Sequence, residues 1–186
     1  MNRYKKFGIT IHPLDESNFN WNNKSKTEIT NKLRELEFLT PLKLCSKLIK
    51  LKIKDGLKKN KDEYYFSKPI DFGGQLELGK KNNRPHYQCW LEMSRRITKR
   101  KILLELSKTI YDCEISNAIS VIVLTKDIED YKNYCLKEDR AYLDNEYSHV
   151  SLSMSLLTFE QYLLDNPDSK KYSINIYEKI FSWQKT

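Results

Sequence analysis

Gly74-Gln-Leu-Glu-Leu-Gly-Lys-Lys-Asn-Asn-Arg-Pro-His-Tyr-Gln-Cys-Trp-Leu-Glu-Met93 is a pair of alternating runs joined by a polar, charged tip. Successive side chains of a strand point to opposite sides, so Gln75 and Glu77 share one face of the first run, and His86, Gln88 and Trp90 share one face of the second. Lys80 to Arg84 reads as the hairpin loop and Pro85 to Met93 as the return strand. With Asn82-Asn83 at the centre of the turn, Glu77 stands opposite Gln88 and beside His86, and a register shift of two residues preserves the shared face. A carboxylate, an imidazole and an amide oxygen therefore converge. Such a mixed oxygen and nitrogen set, with room for water, suits Mg²⁺ or Mn²⁺ better than a closed structural zinc site.

The elements on either side complete the pattern. Tyr4 to His12 alternates around Phe7, Ile9 and Ile11 and stops at His12-Pro13, as a first strand does. Thr27 to Leu39 carries Ile29, Leu33, Leu36 and Leu39 at helical spacing. Thr40-Pro41 caps a second helix, expected to run to about Ile53 and to end before Gly56. Tyr64 to Leu78 is strand-like, broken at Pro69 and at Gly73-Gly74, where a bulge or a close backbone approach is expected. Thr98 to Ile110 is a further helix, Val121 to Leu124 a buried strand, and Thr125 the expected N-cap of a helix that carries Tyr134. Strand, helices, strand, strand, helix, strand, helix is an α+β order: a central antiparallel sheet flanked by helices in a split βαβ arrangement. Beyond Asp139 the pattern weakens to a short amphipathic helix at Leu156 to Leu164, a turn at Asn166-Pro-Asp and a further element at Ile174 to Phe181.

The chain of 186 residues has 33 Lys and Arg against 25 Asp and Glu, a net charge of +8 and a pI near 9.1. The excess favours a polyanionic partner, or is a solvated lysine surface; composition leaves both readings open. Cys45, Cys89, Cys113 and Cys135 show no Cys-x-x-Cys spacing, and the three histidines complete no zinc pattern with them, so reduced thiols in an intracellular compartment are expected. No run approaches the ~18 apolar residues of a membrane span, and Met1-Asn-Arg-Tyr-Lys-Lys-Phe7 lacks a signal-peptide core, so a soluble protein without a membrane partner is expected.

In Asn133-Tyr-Cys-Leu-Lys-Glu138, Tyr134 and Lys137 are a helical turn apart and Glu138 follows at the next position. Ile128, Tyr131 and Cys135 form the stripe expected to face the sheet, with Tyr134 at its edge. A phenol with a pKa near ~10 becomes a nucleophile when a cation or an ammonium stabilises its phenolate. Tyr131 is the internal comparison, because it occupies the core stripe and has no lysine three residues later.

Three motifs in order, across about Arg3 to Asp139, resemble the HUH endonuclease domain of rolling-circle replication initiators, the Rep proteins of small circular single-stranded DNA viruses and related plasmids. Phe7-Gly-Ile-Thr-Ile-His-Pro13 looks like the first-strand motif, with His12 in place of the usual Asn and the aromatic two residues further upstream. Pro85-His-Tyr-Gln88 looks like the second motif in its His-hydrophobic-Gln form, with Glu77 where the upstream acidic ligand belongs, and Asn133-Tyr-Cys-Leu-Lys-Glu138 is close to the third, Tyr-Cys-x-Lys-Glu. The resemblance implies a ferredoxin-like endonuclease domain at residues 1–139, with residues 140–186 as a C-terminal helical extension. It implies that Glu77, His86 and Gln88 hold Mg²⁺ or Mn²⁺, with Glu138 as an auxiliary ligand. Tyr134 would attack single-stranded DNA at a replication origin and Lys137 would position the phosphate, while Lys80, Lys81 and Arg84 contact DNA. Full-length viral Rep proteins continue into a helicase domain, for which this chain has no candidate; Gly74 to Lys81 falls one residue short of a Walker A loop and lacks the following helix. The resemblance then implies either an excised endonuclease domain or a short plasmid-type initiator, working with a helicase domain or host replication proteins outside this chain, in the host nucleus for a virus and in the cytoplasm or an organelle for a plasmid. The rival reading is a non-catalytic single-stranded nucleic-acid-binding module of similar topology, stacking bases on Trp90 and tyrosines.

Overall fold

A computed structural model describes residues 2–15, 17–137, 143, 147 and 152–153. Their elements follow in the order β1 (Tyr4–Ile11), α1 (Lys26–Glu35), α2 (Pro41–Ile49), β2 (Ile53–Lys58), β3 (Tyr64–Ser67), β4 (Pro69–Leu78), β5 (Pro85–Ile97), α3 (Lys99–Tyr111), β6 (Ile119–Val123), α4 (Ile128–Cys135) and β7 (Leu152–Ser153). The main sheet is antiparallel in the order β6-β1-β5-β4-β7, and β2 pairs with β3 as a separate ribbon. β5 inserts between β1 and β4, which α1 and α2 connect; β1 inserts between β5 and β6, which α3 connects. Each half is a split βαβ unit, so the α+β class and the ferredoxin-like order expected from the sequence are present.

Alternation sorts the two faces of the sheet. Phe7, Ile9 and Ile11 of β1, Tyr87, Cys89, Leu91 and Met93 of β5, and Phe72 and Leu76 of β4 are buried in one core with Ile29 and Leu33 of α1, Leu44 and Leu48 of α2, and Ile102 and Leu106 of α3. Local signals start the helices that cover this face. Ser25 and Glu28 form a reciprocal capping box on α1, Thr40 caps α2 with Pro41 in its first turn, and Thr98 caps α3; a cap of this kind contributes about 1 kcal/mol. The opposite face carries Thr10, Glu77, His86 and Gln88. There α4 packs through Ile128 and Cys135 on Trp90, in a small cluster of its own.

Several local expectations are corrected. α2 ends at Ile49, and the chain continues as β2 rather than as helix, because Leu51, Ile53 and Asp55 are buried in alternation with exposed Lys52 and Lys54. The close backbone approach expected at Gly73-Gly74 is present, but without a break: β4 runs through Gly74, whose φ of +149° and approach to β5, where a Cβ would stand 2.2 Å from the Gln88 carbonyl oxygen, exclude a side chain. β5 extends past Met93 to Ile97. The cap of α4 is Asp127, whose carboxylate accepts from the Glu129 N–H, and not Thr125. Leu143 and Tyr147 are buried in the main core and Leu152–Ser153 pair with β4, so these positions of the 140–186 segment pack on the sheet. The elements expected at 156–164 and 174–181 lie outside the described residues. Among the described residues no helix is long and apolar enough to cross a membrane.

Candidate functional site

The hairpin pairs Glu77 with His86 and Gln75 with Gln88, two residues from the register of a turn centred on Asn82-Asn83. The closing geometry causes the offset: the Gly79 N–H donates to the Arg84 carbonyl at 3.0 Å, and the Asn83 N–H donates to Gly79 at 2.8 Å from a left-handed backbone, φ +52°. A shift of two keeps Glu77, His86 and Gln88 on one face. On the other side of β5, Thr10 pairs with Gln88. The Thr10 hydroxyl donates to Gln88 Oε1 at 3.2 Å, and Gln88 Nε2 donates to the Tyr131 hydroxyl at 2.6 Å. Tyr131 reaches that position by lying over Gly8, where a Cβ would come within 2.4 Å of the phenol oxygen.

α4 brings the second motif to the hairpin. Lys137 Nζ lies 3.3 Å from Glu77 Oε2 and 3.8 Å from the centre of the Tyr134 ring, and Glu77 Oε1 is 2.9 Å from His86 Nε2. Tyr134 is half exposed, at 50 %, whereas Glu77 is buried. Burial works against the Glu77 charge, but the hydrogen bond and charge of His86 and the Lys137 ammonium outweigh it and hold the carboxyl below its ordinary range. Lys137 is likewise desolvated, and Glu77 and Tyr134 more than offset this, raising its affinity for a proton. Lys137 is thus a firmly charged ammonium at the edge of the open phenol. On its other flank Tyr134 lines, with Tyr131, Leu124 and Lys126, a cleft of about 340 Å³.

The proton inventory of His86 bears on metal binding. Its Nδ1 faces the Arg84 carbonyl at 3.2 Å and its Nε2 faces the Glu77 carboxylate, so both ring nitrogens meet acceptors. A neutral imidazole donates from one nitrogen only. The tautomer therefore decides which of the two contacts is a hydrogen bond. Glu77 Oε2 faces the Lys137 ammonium at 3.3 Å, so a cation held by this carboxylate would share it with Lys137. By donor type, a carboxylate oxygen beside an imidazole nitrogen, Glu77 and His86 fit a hard divalent cation. Gln88 adjoins them on the strand, with its amide held between Thr10 and Tyr131; its O and N are distinguished by this network alone. Among the described residues no three His, Cys, Asp or Glu side chains gather, so a metal held here would need Gln88 and water as further ligands.

His12, at the end of β1, was not read as part of the site from sequence, yet its ring lies 5.1 Å from that of His86. Its Nδ1 is buried without a hydrogen bond, and burial first, then the neighbouring His86 and Arg84 charges, lower its pKa to about 4. Thr10 and Tyr131 were missed as well. The alternation of Phe7, Ile9 and Ile11 already assigns Gly8, Thr10 and His12 to the opposite face, but only the β1–β5 pairing places that face beside Gln88. Trp90 is buried under α4 at 6 % exposure and is no stacking surface. Lys80 and Lys81 are exposed at the hairpin tip, while Arg84 is half-buried and donates to the Pro13 carbonyl at 2.8 Å, tying the end of β1 to the hairpin. Glu138 lies outside the described residues. No family model matches the sequence, and no curated protein matches it.

Proposed function

We propose that the protein is a replication-initiator endonuclease that nicks single-stranded origin DNA and rejoins it through a covalent 5′-phosphotyrosine, with Mg²⁺ or Mn²⁺ as cofactor. The observation that supports it best is the meeting of two distant segments: Lys137, one turn beyond Tyr134, contacts the same Glu77 carboxylate that contacts His86. A packing tyrosine on an amphipathic helix gives no reason for this arrangement.

In this reading Glu77 and His86, with Gln88 beside them, hold the cation, which supplies Lewis-acid polarisation of the scissile phosphate. Lys137 offers its charge both to the phenol oxygen as it loses its proton and to the non-bridging phosphate oxygens. The Tyr134 oxygen forms a bond to phosphorus as the bond from phosphorus to the 3′ oxygen breaks. The phenol proton passes to water, and the 3′ oxygen gains one to leave as a hydroxyl. One phosphodiester has replaced another, so reversal rejoins the strand without an external energy source. Thr10 and Tyr131 keep the Gln88 amide oriented, a supporting part. Such an enzyme works inside cells, in a host nucleus if viral and in the cytoplasm or an organelle if plasmid-borne, with a helicase or host replication proteins opening the duplex for it.

The test is incubation with a degenerate pool of single-stranded oligonucleotides in Mn²⁺, with and without chelator. Free 3′-hydroxyl ends and protein-blocked 5′ ends, absent in chelator, are expected. Cleavage that persists in chelator, or that leaves free 5′ ends, would overturn the proposal.

A further inference from the structure

The β2–β3 ribbon lies at the other end of the sheet from Glu77. Ser67 exchanges hydrogen bonds with the main chain of Arg95, and the Lys68 and Ser94 main chains are also bonded, so the ribbon is fastened where β5 ends. From Gln88 to Arg95 is seven residues of strand, or about 23 Å at roughly 3.3 Å per residue.

Its two faces differ. Pairing of Ile53 with Ser67 turns Ile53, Asp55 and Ser67 inward, and all three are buried. Asp55 accepts from Arg95 at 2.5 Å and lies 3.9 Å from Arg3, so its charge is spent internally. Pairing of Lys54 with Phe66 and of Lys58 with Tyr64 turns these four outward, and Lys52 joins them. The three lysines are exposed, and Phe66 shows 41 % of its surface. The outward face thus has three cations and two rings without a carboxylate; Glu63, at the turn, pairs with Lys59.

We propose that this outward face is a second binding platform, for single-stranded DNA, which stacks bases on Tyr64 and Phe66 and holds phosphates with Lys52, Lys54 and Lys58. The ring faces are already occupied by positive charge: Lys54 Nζ stands 3.3 Å from the centre of Tyr64, and Lys52 Nζ 4.3 Å from that of Phe66. In the free protein each ammonium covers an apolar ring. Both lysines are long and exposed, so they swing onto phosphates as bases replace them, and ring and charge each gain a partner. A duplex buries its base faces in its own stack. Unpaired bases leave theirs free, which selects the single strand. That the strand is DNA rests on the function proposed above; the stacking itself does not depend on cleavage.

The test is fluorescence anisotropy with labelled oligo-dT of about twenty nucleotides, in chelator so that no strand is cut, for the full chain and its variants. Tyr64→Ala with Phe66→Ala is expected to weaken binding about a hundredfold, at about tenfold for each ring, while Tyr64→Phe with Phe66→Tyr stays within about twofold. Lys52→Glu with Lys58→Glu, which leaves both rings in place, should weaken binding and flatten its salt dependence. Binding to the dA·dT duplex should be weaker and unchanged by ring removal. Wild-type affinity in the double alanine protein, or equal losses on duplex and single strand, would overturn the proposal. So would binding by the Tyr64→Phe, Phe66→Tyr protein as weak as that of the alanine one. Because the assay scores binding without catalysis, its failure leaves the cleavage chemistry of Tyr134 standing, and absence of cleavage leaves the platform standing.

Discussion

Two tyrosines on one helix receive opposite roles from their surroundings. Tyr131 is packed over Gly8, and burial pushes its phenol well above the ordinary value; its hydroxyl accepts from Gln88. Tyr134 is open and carries the Lys137 ammonium against its ring. Tyr131→Phe should therefore retain cleavage with a loss of about tenfold or less, reflecting one hydrogen bond of about 1 kcal/mol; complete inactivity, assayed by nicking of labelled oligonucleotide, would move the nucleophile to Tyr131. His86→Ala should abolish metal-dependent cleavage, and isothermal titration with Mn²⁺ should show at least a tenfold loss of affinity. Unchanged Mn²⁺ binding would remove His86 from the metal site. His12 gives a pH prediction with a definite sign. Unfolded, its ring takes up a proton near 6.5; folded, only near 4. The folded state therefore binds fewer protons in between, and the stability present above pH 6.5 is lost as pH falls toward 4. Urea midpoints at pH 7 and pH 4.5 should fall further in the wild type than in His12→Gln, and equal slopes would contradict the assignment.

At the scale of elements, what the sequence made legible was local and what it hid was not. The period of two placed Glu77, His86 and Gln88 on one face, and that face survived the register shift that the Gly79–Arg84 closure imposes. The spacing of Tyr134 and Lys137 on a helix was legible for the same reason. β2 was hidden because Leu48, Leu51 and the lysines around them extend a helical pattern, and the switch to alternation occupies only a few residues. Thr10 and His12 belong to the site through β1–β5 pairing, a contact between residues that lie far apart in sequence. Close packing between β1 and α4 yields a test of this placement. Gly8→Ala would put a methyl group 2.4 Å from the Tyr131 oxygen and 2.8 Å from Ile122, forcing the phenol off Gln88. A loss of stability of about 1–3 kcal/mol by urea denaturation is expected, together with reduced nicking. An unaffected Gly8→Ala protein would show that α4 does not sit over β1 as described.

Across the whole molecule the sheet divides labour between its faces. One is committed to the core under α1, α2 and α3; the other carries the site, covered in part by the short α4. In the proposed mechanism, a strand laid on that open face would present its phosphate to Tyr134 with its flanking bases unpaired. Melting a duplex costs about 1.4 kcal/mol per base step, which binding on this face would have to supply. Single-stranded oligonucleotides should therefore be cleaved efficiently and the same sequence in linear duplex little or not at all; equal rates, or faster cleavage of the duplex, would contradict the mechanism. The central claim is that the Tyr134 oxygen becomes bonded to DNA, and it is tested most directly by trapping the product. After reaction with labelled single-stranded DNA in Mn²⁺, the SDS-resistant complex would be digested and its peptide analysed by mass spectrometry. The account predicts a nucleotide joined by its 5′-phosphate to Tyr134, with no adduct for Tyr134→Phe or in chelator. An adduct on another residue, or an undiminished complex with Tyr134→Phe, would contradict it.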